Sequence, residues 1–288
     1  SKLGVFANWC VRQGLIGESP FKDMRLSIKK KNISGREPFT IKELRKILAK
    51  ETFLKWTINF HHRNNPSHYE KGWFAKGEEN WGTNETSSKK IKTLPTQPSG
   101  AKNQLPYYWI FPLGILSGMR TNEMCQLRCS DIKKVNGIWM IHVEDTEDTN
   151  VKSVAGIRKV PVHPQLIKLG LIDYIAKLRR KKKDRIFWEL TKSRDGYIKQ
   201  VSRHYNERVL PSLGIWKKRQ KVLYCTRHTF INKLYSERVD ENVIKNLVGH
   251  EKEFTMKHYG GDPFSPERLL EEISKVDYSG IKWSSLKI

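Results

Sequence analysis

Acidic residues are scarce in this 288-residue chain: 30 Asp and Glu stand against 54 Lys and Arg, a formal net charge of +24. Such an imbalance costs self-repulsion unless a polyanion lies against the surface, so nucleic acid is the leading partner. Long apolar runs are missing too. The most apolar stretch, Tyr107 to Leu116, is about half of the roughly 20 residues a membrane-crossing helix needs, and it carries Pro112. No membrane partner is therefore expected, and the start lacks the basic and apolar regions of a secretory signal. Cysteine is sparse as well. Cys10, Cys125, Cys129 and Cys225 form no CxxC pair and no Cys/His series with zinc-finger spacing, which leaves no metal site to expect. Cys125 and Cys129, four apart, read as small buried residues on one helix face, and this usage fits a reducing cytoplasm. There is no internal repeat.

What is present divides the chain. Leu3, Phe6, Trp9 and Cys10 share one helical face before Gly14 to Pro20 stop the pattern, which reads as the closing helix of a preceding domain. Arg25 to Arg36 is basic and aperiodic, a linker, so residues 1–36 form one region. The second domain, 37–276, opens with Thr40-Ile-Lys-Glu43, a capping box, followed by Leu44, Ile47, Leu48 and Leu54 at helical spacing. Residues 61–105 are polar and read as an exposed insertion. From Trp109 the helical period resumes through Ile110, Leu113 and Leu116 and, after Ser117-Gly118, through Met124 and Leu127. Gly137 to Val143 and Arg158 to Val162 resemble two strands of a small antiparallel sheet. One helix is predicted from Leu166 to Leu178, and the basic run Arg179 to Lys183 beyond it fits a solvated face or phosphate contacts equally. Val201, Tyr205 and Val209, then Phe230 and Leu234, then Val243, Ile244 and Leu247 mark later helices, and Ser265-Pro-Glu starts the last one. Residues 277–288 are left as a tail. The fold class is mainly α with a small antiparallel sheet.

Cleaving a phosphodiester without a metal takes cationic donors on the nonbridging oxygens, a nucleophile, and an acid for the leaving alkoxide. Arginine suits the first task because its planar fork spans two oxygens and stays protonated. Among so many basic residues a single arginine means little, so only an ordered constellation carries weight. It consists of Leu-Ser-Gly-Met-Arg120-Thr-Asn-Glu123, then Cys-Thr-Arg227-His-Thr-Phe, then Leu-Val-Gly-His250, then His-Tyr259-Gly. In content and order these boxes resemble those of the tyrosine recombinases, and the surrounding text is most similar to integrases of phages and mobile islands.

The resemblance implies that Arg120 and Arg227 grip the scissile phosphate, that His250 hydrogen bonds a nonbridging oxygen, and that Tyr259 is the nucleophile. Glu123 would hold the first box in place. The family carries an acidic lysine on a hairpin between the two arginine boxes. Lys152, six residues before Arg158, matches that layout, and Lys159 is its competitor. One position departs from the pattern. Three residues before Arg227 the family usually has histidine and this chain has Tyr224, a phenol that is a poor base at neutral pH and cannot be a cation. Its hydroxyl can still donate to the phosphate, leaving His250 or water to take the proton from Tyr259. His228, next to Arg227, reads as structural.

By resemblance, then, the expectation is a tyrosine recombinase catalytic-domain fold that cuts and rejoins double-stranded DNA attachment sites through a 3′-phosphotyrosyl intermediate, with no metal, ATP or other cofactor. The enzyme would be monomeric in solution and tetrameric on DNA, helped by DNA-bending or directionality proteins, in the cytoplasm of a bacterium beside its nucleoid. A DNA-binding regulator with a decayed site and a type IB topoisomerase are the alternatives.

Overall fold

The computed structural model describes residues 2–22, 35–57, 105–144, 156–250 and 263–287. The chain forms two compact units, residues 1–35 and 36–288. In the first, α1 (Lys2–Arg12) covers the periodic segment and Gly14, at φ +69°, turns the chain out of it. Cys10 is buried but Leu3, Phe6 and Trp9 stay exposed, so the face marked by their spacing is only partly covered. The polar stretch 61–104 and residues 25–34 of the linker lie outside the described residues.

The second unit is mainly helical with one small antiparallel sheet. Helix α2 (Ile41–Ile47) starts at Thr40, whose N–H donates to Glu43 Oε2 at 2.7 Å while its hydroxyl accepts from the Glu43 N–H, the reciprocal box the sequence predicts. Helix α3 (Lys50–Thr57) buries Phe53 and Trp56. Helix α4 (Leu105–Ser117) follows, then α5 (Thr121–Cys125), and a 3-10 turn at Cys129–Asp131 leads into the sheet. Its strands are β1 (Ile132–Val135), β2 (Ile138–Val143) and β3 (Arg158–Pro161), ordered β1-β2-β3 with Ile141 opposite Val160 and Val143 opposite Arg158.

Strand β1 is an addition to the two expected strands. Its Ile-Lys-Lys-Val sequence has two exposed lysines at the centre, too short and too polar for an alternating pattern. The signal lay in the turn instead: Asn136 and Gly137 both adopt positive φ, +50° and +80°, as a two-residue hairpin loop requires. A second correction concerns the helix expected from Leu166 to Leu178. It is two helices, α6 (Pro164–Lys168) and α7 (Leu171–Arg180), because Gly170 at φ +96° breaks the helical path between them.

Helix α8 (Ile198–His204) continues through a π-helical turn, Tyr205–Val209, into Leu210–Ser212. Helices α9 (Cys225–Ser236), α10 (Glu241–Val248) and α11 (Pro266–Ser274) complete the order, the last two capped by Asp240 and Ser265. The closing segment is no loose tail. Tyr278 donates to the Ile115 carbonyl at 2.8 Å, Tyr108 donates to the Leu286 carbonyl at 2.6 Å, and Trp283 is buried.

Helix α4 is the hub. Every residue from Pro106 to Ser117 is buried, so the helix has no solvent-facing side, and its first turn, before Trp109, carries no amphipathic period. Its Gly114 lies against α9 so closely that a Cβ there would meet Thr226 Oγ1 at 2.5 Å. That approach brings the chain just beyond α4, which holds Arg120, beside the first turn of α9, which holds Arg227. Among the described residues no helix is long and apolar enough to cross a membrane.

Candidate active site

Arg120 precedes the first turn of α5 with extended backbone, and its N–H donates to Glu123 Oε2 at 2.8 Å. The same carboxylate holds the Arg120 side chain, Nη1 to Oε1 at 2.7 Å, while Nη2 donates to the Gly249 carbonyl at 3.1 Å. Gly249 caps α10 in the left-handed conformation, φ 69° and ψ 48°, which a glycine adopts without strain and which turns the chain toward His250. Arg227 Nη1 donates to the Gly118 carbonyl at 2.7 Å. The three boxes, far apart in the chain, are thus joined by arginine-to-carbonyl bonds.

A further arginine clasps them, and its part went unrecognised in the sequence. Arg158, at the start of β3, engages the protein through each of its three guanidinium nitrogens: Nε on the Leu247 carbonyl at 2.8 Å, Nη1 on the Gly156 carbonyl at 2.7 Å and Nη2 on Glu123 Oε2 at 2.9 Å. Held at all three nitrogens and buried, it serves as a scaffold for Glu123. The reading of Glu123 as the holder of the first box agrees with this geometry, but Arg158 served the sequence reading only as a landmark for the lysine.

Arg227 is different. It is 2% exposed, yet Nη2 is buried and meets no hydrogen-bond acceptor among the described residues. Burial and the neighbouring Arg158 and Arg120 charges push its pKa down to about 10, so it remains protonated at neutral pH. A buried, charged donor with no partner costs more than the roughly 1–3 kcal/mol of a neutral one, and an arriving anion would satisfy it. Burial raises the Glu123 carboxyl, but Arg158 and Arg120 outweigh that and hold it below its ordinary value. His250 is exposed at the end of α10, and partial burial of its ring with the Arg227, Arg120 and Arg158 charges lowers its pKa, leaving a neutral imidazole at pH 7.

Tyr224 stands immediately before α9, half-buried and within electrostatic reach of Arg227. Its ring centroid is 5.6 Å from that of His228, so His228 packs beside the site. Arg120, Tyr224, Arg227 and His250 therefore come together, whereas Lys152 and Tyr259 lie outside the described residues. Lys159 alternates with the buried Arg158 and Val160 along β3 and so faces the other side of the sheet from the arginine clasp. Arg179, from the basic run, donates to the Cys129 carbonyl at 2.6 Å and serves the scaffold. The four cysteines are buried and free, and among the described residues no three His, Cys, Asp or Glu side chains are grouped to hold a metal ion.

The phage integrase family model matches residues 85–262, more than half of the chain. No curated protein matches the sequence. Solved structures similar to the chain include the integrase from mycobacterium phage Brujita, at 12% identity and TM-score 0.44, covering 99% of this chain and 74% of that one. The XerH site-specific recombinase bound to difH substrate aligns at 17% identity and TM-score 0.44 over 79% of this chain and 51% of that one. The Tn1549 transposon integrase in complex with a circular intermediate DNA aligns at 16% identity and TM-score 0.44 over 92% and 74%.

Proposed function

Because the chain belongs to the phage integrase family, we propose that it is a site-specific DNA recombinase that cleaves and rejoins double-stranded DNA through a covalent link to Tyr259. The Tyr259 oxygen attacks the scissile phosphorus, the bond to the 5′ oxygen breaks, and Lys152 gives that oxygen its proton. The 3′-phosphotyrosyl link is then attacked by a 5′ hydroxyl of the partner strand, which restores the phosphodiester and frees the tyrosine. Bond energy is conserved between the two steps, so ATP is not consumed.

The described residues stabilise the pentacoordinate phosphorus. Arg120 and Arg227 meet the nonbridging oxygens, and the preset bonds to Glu123, Gly249 and Gly118 fix both guanidinium groups before DNA arrives, so little reorganisation accompanies the reaction. Neutral His250 adds a hydrogen bond and is able to accept the Tyr259 proton. Tyr224 takes the usual histidine's place as a donor through its hydroxyl. The substrates are attachment sites of a mobile element, joined by a tetramer that assembles from monomers on two duplexes.

The observation that carries this reading is the buried Arg227 Nη2, which meets no acceptor among the described residues, beside a Glu123 carboxylate already shared by Arg120 and Arg158. Incubation with a nicked suicide substrate and a denaturing gel tests it. The parent chain should trap a covalent adduct, and Tyr259→Phe should trap none while binding DNA as well as the parent. Binding by the parent without any adduct would instead support a regulator with a decayed site.

A further inference from the structure

We infer that Arg36, at the exit of the linker, is a DNA phosphate-binding residue held in place by the ring of Tyr224. The Arg36 guanidinium carbon lies 4.1 Å from the centroid of that ring. A guanidinium resting on an aromatic face keeps its N–H edge free, and Arg36, exposed at the surface, makes no hydrogen bond or ion pair among the described residues. Its acidic neighbour does not neutralise it. Glu37 is directed to Lys217 at 3.8 Å and Lys221 at 4.0 Å.

The backbone that carries Arg36 is fastened along the start of α9. The Glu37 N–H donates to the Gln220 carbonyl at 3.0 Å, Lys221 Nζ donates to the Pro38 carbonyl at 2.6 Å and to Glu43 at 2.8 Å, and the Phe39 N–H donates to Thr229 Oγ1 at 2.8 Å. Arg36 therefore projects from a fixed origin onto the element that carries Arg227. It adds positive charge where positive charge is already crowded: burial and then Arg36 and Arg227 lower the pKa of His228, the ring packed against Tyr224. No carboxylate of this segment compensates it, which is the arrangement expected where a phosphodiester supplies the counter-charge. The contact would fall on a backbone phosphate beside the reacting one. This placement rests on the reading that the Tyr224 side of α9 faces the DNA.

The test uses the full chain and a random-sequence DNA duplex, with affinity measured as a function of salt, so it needs no strand cleavage. Arg36→Ala should weaken binding several-fold at low salt and reduce the log–log salt slope by about one, the loss of a single phosphate contact. Tyr224→Leu removes the platform, so Arg36→Ala should cost less in that background than in the parent. A parental slope in Arg36→Ala overturns the inference. An equal loss in both backgrounds also overturns it, since Arg36 would then act as an unheld surface charge. Absence of a covalent adduct in the parent, by contrast, would count against the recombinase reading and leave these slopes to decide the role of Arg36.

Discussion

The Glu123 carboxylate accepts Arg158 Nη2 at 2.9 Å with 4% and 3% of the two side chains exposed, 35 residues apart in sequence. The pair lies behind Arg120, so its integrity decides where Arg120 can be. Removing one partner from a buried pair leaves the other charge uncompensated, which costs about 3–5 kcal/mol. Glu123→Ala should therefore lower unfolding stability by that amount in urea with an unchanged m value, and Glu123→Gln by less, because its amide oxygen still accepts one bond. The pH dependence has a definite sign. The folded carboxyl titrates below its unfolded value, so its contribution is present above the ordinary carboxylate range and is lost as pH falls through the folded value. The acid limb of the stability curve should be shallower in Glu123→Gln than in the parent; an equal slope would mean that another group causes it.

Gly118 is held by two requirements. Its φ is +64°, and a Cβ there would sit 2.3 Å from the Phe230 ring, while its carbonyl takes the Arg227 guanidinium. Gly118→Ala must strain the backbone and displace Phe230, at a cost on the order of 2–4 kcal/mol from the two effects together. Because Arg227 then loses its preset bond, strand cleavage should fall more than tenfold at saturating DNA. A thermal midpoint and a cleavage rate both equal to the parent's would refute the prediction.

Much of this arrangement was legible in the residues themselves. Arg120, Arg227 and His250 stand in ordered boxes, and the glycines beside them have visible work: Gly118 and Gly249 adopt positive φ and present their carbonyls to arginines. The capping box at Thr40 and the Ser265-Pro266 start are local and were readable for that reason. Arg158 was not, because its role depends on Leu247 and Glu123, which only the folded chain brings near. Helix α4 carried no period in its first turn because it is buried all round, and β1 was too short and polar to alternate. Arg36 on Tyr224 joins the linker to α9, a pairing without any sequence signature.

His163 predicts a second pH effect. Its Nδ1 accepts the Gln165 N–H at 3.0 Å and Nε2 donates to the Val276 carbonyl at 3.0 Å, which ties the start of α6 to the segment after α11. Burial pushes its pKa down to about 4 from an ordinary 6.5. Between those values the unfolded chain binds more protons, so the stabilisation is fully present above about pH 6.5 and is lost as pH falls toward 4. The loss should be on the order of 3 kcal/mol in all, measured by chemical denaturation. His163→Asn should be less stable at pH 7 and have a shallower slope over that window, the share from His228 and His250 remaining. If the variant keeps the parent's pH slope, His163 is not its source.

The general acid is the remaining choice between two lysines, and the sheet bears on one of them. Lys159 sits opposite His142 in the β2–β3 register and alternates away from Arg158, so its ammonium starts on the face opposite the arginine clasp. Lys152 lies outside the described residues and stays the proposed donor to the leaving 5′ oxygen on its place in the sequence ahead of Arg158. Loss of a general acid typically costs about 10²–10⁴ in rate, so Lys152→Ala should slow cleavage of an ordinary phosphodiester within that range while binding DNA normally. A substrate with sulfur at the bridging 5′ position isolates the missing step, since a thiolate leaves without a proton. Lys152→Ala should then cleave within a few-fold of the parent, whereas Arg227→Ala, which lacks charge stabilisation rather than a proton, should gain little from the sulfur. Lys159→Ala should resemble the parent on both substrates. Sulfur rescue of Lys159→Ala, with Lys152→Ala unimpaired, would transfer the acid to Lys159 and require β3 to rotate its faces when DNA binds.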